Sequence, residues 1–282
     1  MQIGRYRLSS IETGRFALDG GAMFGVVPKA LWEKKIPADA RNRIPMAVRT
    51  LLLEELAGPR KILVDTGIGQ KWDSKGQEIY GIDHGTLRLE TSLAAKGLTP
   101  ADISDVLLTH LHFDHAGGAT RRIDGRLVPT FPRATYWVQR RNLAWAENPV
   151  EKDRASYLQE NWKPLQEHGQ LQVLDAAGEW LPGIELLLSD GHTQCMQLPH
   201  VHGPEGHLLY CADLIPTSAH VPVAWTMGYD NHPITVMEEK KRILERASAE
   251  GWTLFFEHDP YGPAATIEWT TKGYAVKARV EL

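Results

Sequence analysis

Three histidines and an aspartate fall within six consecutive residues, HLHFDH at positions 110–115, in a chain of 282 residues with only 12 histidines. Imidazole nitrogens and carboxylate oxygens are the groups with which proteins bind zinc and other transition metals. Because alternate side chains of an extended segment point to the same side, His110 and His112 can converge on one ion. Asp114 and His115 follow in the next turn, where they could bind a second ion. The spacing therefore predicts a metal site.

The strands around this segment indicate how it is positioned. An apolar run at 106–109 predicts a strand that ends just before His110. A polar residue after a strand is, taken singly, more often a turn or capping residue. Here, however, three more potential ligands occupy the same kind of position, so ligands from several strand ends can meet. They are His192 after the run 184–188, Asp213 after 208–212 and His258 after 253–256.

Short apolar runs and amphipathic stretches along the chain predict a layered α/β protein with mixed sheets. Gly97 and Gly251 are placed to end two helices, and Pro164 should break another. We expect residues 1–282 to form a single domain, because no low-complexity linker divides them. The predicted strands cover 47–55, 61–65, 106–109, 134–138, 184–188, 208–212 and 253–256, and the predicted helices 86–96, 140–145, 151–168 and 233–250.

Composition and charge exclude several classes of protein. With 43% hydrophobic residues the chain can bury a sizeable core, and its formal net charge of −4 offers no basic surface to nucleic acid. No apolar run approaches the ~18 residues of a membrane-spanning helix, and the segment MQIGRYRLSS lacks the apolar centre of a secretory signal. We therefore expect a cytoplasmic protein with no membrane or nucleic-acid partner. Cys195 and Cys211 lack metal-binding or redox spacing and should be buried and unreactive.

The histidine cluster and the three later ligands together resemble the full ligand set of the metallo-β-lactamase superfamily of hydrolases. The resemblance covers nearly the whole chain. It implies an αββα sandwich, in which two mixed β-sheets are flanked by helices, with two metal ions, usually zinc, at one edge of the sheets. It also implies the ligand roles: His110, His112 and His192 would bind the first ion, Asp114, His115 and His258 the second, and Asp213 would bridge them.

The same resemblance implies a reaction. Two metal ions ~3.5–4 Å apart, bridged by Asp213, can share a hydroxide at neutral pH, and this hydroxide would attack a substrate carbonyl that one of the ions polarises. Asp114 or a metal-bound water would then give a proton to the leaving oxygen. Asp65, in LVDTG, matches the family's first motif and would orient a ligand or a water, although a turn aspartate would look the same. A His/Asp ligand set does not distinguish zinc from manganese, cobalt or iron.

Further segments resemble the quorum-quenching N-acyl-homoserine lactonases of this superfamily, namely residues 18–29 (LDGGAMFGVVPK) with Trp32, and 213–217 (DLIPT) with His220 and 228–230 (GYD). This resemblance implies an acyl lactone substrate whose ring is opened by hydrolysis. It also leaves a homodimer open, since such relatives often form dimers. The glycines of the first segment predict a mobile loop in which Met23 and Phe24 cover the site and contact an acyl chain. A tucked hairpin or a subunit contact would use the same residues.

One position departs from the lactonase pattern. Lactonases of this group carry a tyrosine three residues after the bridging aspartate, whereas this chain has Pro216. Tyr229 or His220 could supply the missing catalytic contact. The departure keeps open a broader carboxylesterase or arylesterase, a thioesterase or a phosphotriesterase on the same scaffold, and, outside enzymes, a metal-free binding module. The remaining histidines are interpreted as solvated or hairpin residues: His84, His168, His200, His202, His207 and His232.

Overall fold

Two seven-stranded mixed sheets form most of the computed structural model, which describes residues 1–83, 85 and 87–282. The strands are β1 (Gln2–Ile3), β2 (Tyr6–Asp19), β3 (Arg43–Glu55), β4 (Lys61–Val64), β5 (Asp105–Leu107), β6 (Thr120–Ile123), β7 (Arg126–Pro129), β8 (Thr135–Gln139), β9 (Leu171–Leu174), β10 (Gly178–Leu181), β11 (Ile184–Ser189), β12 (Met196–Gly203), β13 (Gly206–Tyr210), β14 (Thr253–Phe255), β15 (Ala264–Thr270) and β16 (Gly273–Val280). The helices are α1 (Gly20–Phe24), α2 (Lys29–Trp32), α3 (Ser74–Tyr80), α4 (Leu89–Ala94), α5 (Phe113–Ala116), α6 (Arg140–Glu147), α7 (Lys163–Glu167) and α8 (Pro233–Glu250). Short 3₁₀ helices lie at Pro100–Asp102, Gly117–Ala119, Arg154–Ser156, Gln159–Asn161, Ala212–Leu214 and Ser218–His220.

The strand directions explain why polar residues from distant parts of the chain meet. The first sheet has the order β1-β2-β3-β4-β5-β8-β9, and its strands β4, β5, β8 and β9 are parallel. The second runs from β10 to β16 in sequence order; β13 and β14 are parallel, and β11 shares their direction because β11 and β13 are both antiparallel to β12. The carboxyl ends of parallel strands lie on one side of a sheet, where open α/β folds bind their ligands. The loops after β4, β5, β11, β13 and β14 are therefore the ones that can build a site.

The core lies between the two sheets and on their outer faces. Leu51 of β3 and Leu208 of β13 are fully buried in one cluster that joins the sheets. Leu52, which points to the other face of β3, packs with Leu93 of α4 in a second cluster. Helix α8 contributes Leu244 and packs against β15 of the second sheet. Helices thus flank both sheets, and the predicted αββα sandwich is confirmed.

Several predicted elements are confirmed with shifted ends, and one helix is wrong. Helix α8 has the predicted bounds 233–250. The predicted helix at 151–168 is replaced by two 3₁₀ turns and the five-residue α7, in which Pro164 occupies the first turn, where it needs no backbone donor. The predicted helix 86–96 is the shorter α4, and its expected first residue, Thr86, lies outside the described residues, as does His84.

The longest strand, β2, was not expected from the sequence. Its 14 residues, YRLSSIETGRFALD, pair along β3 and are buried on both faces for part of their length. A strand that is buried on both faces does not alternate strictly between polar and apolar residues, so its sequence pattern does not predict a strand. Cys195 and Cys211 are buried and free, as expected. Within the described residues, no helix combines the length and the apolar character needed to cross a membrane.

The predicted hairpin around residues 200–207 is confirmed, since β12 pairs with β13 and His202 lies opposite His207. His200 lies in this hairpin as predicted, but it is not solvated. Only 2% of its surface is exposed, and its ring stacks on Trp252 with a centroid distance of 4.1 Å. Strand β12 is an inner strand of the second sheet, between β11 and β13, so His200 is covered by its neighbours and packs against the Trp252 indole.

Candidate metal centre

The structure brings the seven predicted ligands together in two adjacent groups. In each group the candidate ligand atoms all lie within 4.8 Å of one another, and every residue is buried. Asp213 belongs to both groups. The first group is His110, His112, His192 and Asp213, and the second is Asp114, His115, Asp213 and His258.

Each ligand is carried by a short segment that directly follows a strand or begins a helix. His112 precedes α5, whereas Asp114 and His115 lie on it. Asp213 lies in the 3₁₀ turn after β13, and the residue before it, Ala212, has φ = 42°. Asp65, at the end of β4, has φ = 59°. Non-glycine residues rarely adopt this left-handed conformation, and its occurrence at two of these strand ends is typical of a functional site.

The Asp213 carboxylate lies between the two groups of imidazoles. Its Oδ2 is 3.1 Å from Nε2 of His192 and 3.5 Å from Nε2 of His115, and its Oδ1 is 3.5 Å from Nε2 of His258. Among the described residues, Oδ1 of Asp213 and Nε2 of His110 are buried without a hydrogen-bond partner. Buried polar atoms are rarely left unpaired, and converging nitrogen and oxygen lone pairs are what a cation requires. The residues present therefore fit metal ions.

Outer hydrogen bonds orient most of these imidazoles. The Nδ1 of His192 donates to Oδ1 of Asp230 at 2.9 Å, and the Nδ1 of His258 donates to the carbonyl oxygen of Ala47 at 2.9 Å. Both rings thereby turn Nε2 towards the centre, as metal-binding histidines commonly do. His112 has the opposite orientation, because its Nδ1 lies 3.1 Å from Nε2 of His192.

Asp65 holds two of the cluster's segments in place. Its Oδ1 accepts from the backbone N of Thr109 and its Oδ2 from the Thr109 hydroxyl, both at 2.7 Å. Because the Thr109 hydroxyl donates to Asp65, it accepts from Nδ1 of His110 at 3.0 Å. The Nδ1 of His115 is also 3.0 Å from Oδ2 of Asp65. The carboxylate thus lies where it can fix the orientation of two candidate ligands.

Three residues around the centre were missed from the sequence. Oε2 of Glu257 lies 3.0 Å from Nδ1 of His115 and accepts from the Tyr210 hydroxyl at 2.5 Å. Asp230 is the partner of His192 described above. The only sequence signal for Glu257 was its position next to His258, and nothing in the pattern distinguished Tyr210 from core residues. Asp230 belongs to the GYD segment of the lactonase resemblance, but no role was predicted for it.

Burial and charge act in opposite directions on the histidines. Burial lowers the pKa of His110 and of His112 well below the usual value, which favours the neutral imidazole that binds metal. Burial also acts to lower the pKa of His115, but the carboxylates of Glu257 and Asp213 outweigh it and raise that pKa well above the usual value. The carboxylates around His115 therefore favour positive charge beside them, and bound cations would supply it.

A cavity of about 210 Å³ lies over the centre. Asp114, His192, Asp213 and His258 contribute to its lining, and so does the predicted residue Tyr229, which is 37% exposed. Tyr80 also lines the cavity and was not predicted. The apolar part of the lining consists of Leu18, Met23, Met46, Phe113, Ala155 and Met227. The cavity thus combines the ligand groups with an apolar wall and two phenols.

Two of the predicted contact residues do not line this cavity. Phe24 is fully buried and stacks on His220 with a centroid distance of 4.6 Å. Both nitrogens of His220 are occupied: its Nδ1 is 2.8 Å from the Thr217 hydroxyl, and its Nε2 donates to the carbonyl oxygen of Met23 at 2.8 Å. His220 and Phe24 therefore support Met23 from behind. Among the predicted residues of this segment, only Met23 lines the cavity.

The segment around Met23, expected to be a loop, forms a short helix, α1. Its glycines serve close packing. A Cβ atom on Gly20 would lie 2.4 Å from the ring of Trp32, so only glycine fits there. The Asp19 side chain caps the helix by accepting from the backbone N of Ala22 at 2.8 Å.

Comparisons with known proteins agree with this arrangement. The family profile described as the metallo-beta-lactamase superfamily matches residues 45–258. An N-acyl homoserine lactonase of Bacillus thuringiensis is 28% identical over 271 residues, which covers 90% of this chain and 93% of that protein. A solved structure described as a "probable metal-dependent hydrolase" from Staphylococcus aureus has a TM-score of 0.90 and 29% identity, covering 100% of this chain and 99% of the other.

A second solved structure is an N-acyl homoserine lactone hydrolase with the product N-hexanoyl-L-homoserine bound at its catalytic metal center. It has a TM-score of 0.68 and 25% identity, and the match covers 92% of this chain and 95% of the other. The matched family, the fold and the paired His/Asp groups agree with one another. The chain therefore belongs to the metallo-β-lactamase superfamily and is a metal-dependent hydrolase.

Proposed function

We propose that this chain opens the lactone ring of N-acyl-homoserine lactones by hydrolysis at a centre of two zinc ions. His110, His112 and His192 would hold one ion, and Asp114, His115 and His258 the other. The observation that carries the proposal is the position of Asp213, whose carboxylate belongs to both ligand groups and also borders the cavity. The lactonase relatives give the substrate class.

When bound, two such cations supply a nucleophilic hydroxide at neutral pH and polarise the substrate carbonyl. The chain's own residues do the rest. Asp114, whose Oδ2 is 3.6 Å from Nε2 of His258, borders the cavity, where it can take the proton that the attacking nucleophile gives up and pass it to the ring oxygen as the acyl C–O bond breaks. Burial raises the pKa of Tyr229 to about 12, so its hydroxyl stays protonated and can donate to a substrate oxygen.

The apolar wall of the cavity fits an acyl chain. Met23 and Met227 lie on it together with Leu18, Met46 and Phe113. Thioether side chains adapt to ligands of different length, and burial of each methylene contributes about 0.8 kcal/mol. The wall would exclude water beside the reacting carbonyl. Ligands from both sheets build this one site, which supports our expectation that residues 1–282 act as one domain.

A second candidate is a broader esterase, thioesterase or phosphotriesterase on the same scaffold. It is favoured by Pro216, whose side chain cannot donate a hydrogen bond at the position where related lactonases have a tyrosine. In this structure Pro216 contributes its carbonyl oxygen, which accepts from the backbone N of His258 at 3.1 Å. Tyr229 and Tyr80 would then set the substrate preference.

The test uses purified, metal-loaded protein. Elemental analysis should give about two zinc ions per chain, and fewer than about one would instead support a metal-free binding module. On a panel of acyl-homoserine lactones, thioesters, aryl esters and phosphotriesters, kcat/KM should be highest for the lactones. Equal or higher kcat/KM for another class would replace the lactonase proposal with that activity. Asp213→Ala should lose metal and turnover, whereas Asp124→Asn on the exposed β6–β7 turn should keep both.

A further inference from the structure

A second cavity, of about 260 Å³, lies behind the segment that carries His115. It shares no lining residue with the cavity over the metal centre. Thr66, on its wall, donates to the carbonyl oxygen of His115 from both its backbone N and its hydroxyl, at 2.8 and 2.9 Å. Gly118, also on the wall, comes three residues after His115. The two cavities therefore lie on opposite sides of one loop.

This second cavity has hydrogen-bond donors without partners. Within the described part of the chain, the buried Nε of Arg121 and the hydroxyl of Thr130 have no hydrogen-bond partner. Thr130 is only 2% exposed, so bulk solvent does not supply the missing partner. A buried polar group left unpaired costs about 1–3 kcal/mol, and two such donors on one cavity indicate that something else accepts from them.

The charge of the wall favours an anion. The Lys71 ammonium donates to the carbonyl oxygens of Gly117 and Thr120, which leaves one N–H. Burial lowers the pKa of Lys71 to about 8, so the group is still largely charged at neutral pH.

The other charged groups of this wall largely offset one another. Arg122 is paired with Glu160 at 2.7 Å, and Glu160 raises the pKa of Lys71. Glu90 is the one acid on the wall and accepts from the Gln70 amide at 3.4 Å. Because Glu160 neutralises Arg122, the wall keeps two positive charges, those of Lys71 and Arg121, against the one negative charge of Glu90.

We propose that this cavity is a second binding site, for a small tetrahedral oxyanion of the phosphate or sulfate class. Arg121 and Thr130 donate to its oxygens, and Lys71 contributes charge and a third donor. Guanidinium and ammonium groups with a hydroxyl are the usual protein ligands of such anions. The volume accommodates the anion with its waters or the head group of a phosphomonoester. This site is independent of the proposed lactonase activity, because it uses none of the metal-centre residues.

The first test is thermal unfolding of the metal-loaded protein with millimolar sodium sulfate, against sodium chloride at equal ionic strength. Sulfate should raise Tm of the wild type by about 2 °C or more, as expected for an anion present well above its Kd. Arg121→Gln and Thr130→Val should each lose this shift. Arg126→Gln, on the exposed end of the same β6–β7 hairpin, is the matched control and should keep it.

The second test locates the anion. Crystals soaked in selenate should show an anomalous peak within hydrogen-bond distance of Nε of Arg121. The unfolding experiment is then repeated with inorganic phosphate and with glycerol phosphate. A larger Arg121-dependent increase in Tm with inorganic phosphate indicates a site for a free oxyanion, and a larger increase with glycerol phosphate indicates a site for a phosphomonoester. Equal shifts in all four proteins, or a selenate peak only among the metal-centre histidines, would overturn the proposal.

Discussion

His192 and Asp230 form a buried hydrogen bond in which the imidazole Nδ1 donates to the carboxylate Oδ1 at 2.9 Å. The other oxygen of Asp230 accepts from the backbone N of Met227 at 2.8 Å. Lys152 donates to the Asp230 carbonyl oxygen at 2.7 Å and so holds the same loop. One carboxylate thus links a metal-centre histidine to the apolar wall of the cavity.

Asp230→Asn should weaken metal binding by about 10- to 100-fold, because the amide cannot accept from His192 and from Met227 at the same time. Competition with a chelator measures the affinity directly. Asp124→Asn, the same change on an exposed turn, is the control. Unchanged affinity in the Asp230 variant would show that His192 is oriented without this carboxylate.

Asp114→Asn and His115→Ala should differ in what they damage. Asp114 faces the cavity, so its variant should lose about 100-fold or more in kcat/KM with a free energy of unfolding within about 1 kcal/mol of the wild type. His115 lies between the buried carboxylates of Asp65 and Glu257. Its removal should cost activity and also about 3–5 kcal/mol of stability, because two buried acids lose their shared partner.

Urea unfolding alongside steady-state kinetics separates these two effects. The sequence alone suggests that both positions tolerate substitution, since each lies in a turn after a strand. The structure changes that expectation for His115 only. Equal stability of the two variants would mean that Glu257 and Asp65 need no imidazole between them.

The ligand set was predictable because it combines local spacing with a repeated position in the fold. The candidate ligands at 110–115 are recognisable because three histidines and an aspartate lie within six residues, and His192, Asp213 and His258 each follow an apolar run. Asp65 was predicted from its motif, but the roles of the other outer partners, Glu257, Tyr210 and Asp230, were not, because these side chains reach the histidines or each other only across many residues of chain. Contacts of that kind leave no periodicity.

The segment around Met23 shows why glycine patterns are ambiguous. Glycine permits both mobility and close packing, and the sequence does not say which of the two a position uses. Here Gly20 allows the ring of Trp32 to pack closely against helix α1. Met23 of this helix lines the cavity, whereas its neighbour Phe24 stacks on Trp32 and His220.

Met23→Ala and Phe24→Ala should therefore have different consequences. The Met23 variant should raise KM for long-chain acyl lactones by about tenfold while changing KM for short-chain ones little, because it removes part of the apolar wall. Both side chains are buried, so both variants should lose stability, the Phe24 variant by about 3–5 kcal/mol, but the Phe24 variant should leave the chain-length dependence of KM nearly unchanged because its ring does not line the cavity. Kinetics over a series of chain lengths, together with urea unfolding, compare the two. A chain-length effect in Phe24→Ala as large as that in Met23→Ala would contradict this division.

His200 should make the fold sensitive to acid. Its ring is stacked on Trp252, with Nε2 3.1 Å from Nδ1 of His207 and Nδ1 3.3 Å from Oε2 of Glu185. Burial lowers the pKa of His200 to about 4, whereas an unfolded histidine titrates near 6.5. Between these values the unfolded chain binds more protons than the folded one, so stability is full above pH 6.5 and is lost as the pH falls towards 4.

His200→Phe keeps an aromatic ring on Trp252 but cannot take up a proton. Between pH 7.5 and pH 5 the wild type should lose about 2 kcal/mol more of its free energy of unfolding than this variant does. Urea unfolding at both values measures the difference, and acid release of metal cancels because it affects both proteins. His168→Gln, at an exposed site, should follow the wild type. If His200→Phe loses as much stability as the wild type over this interval, protonation of the stacked histidine does not limit the fold in acid.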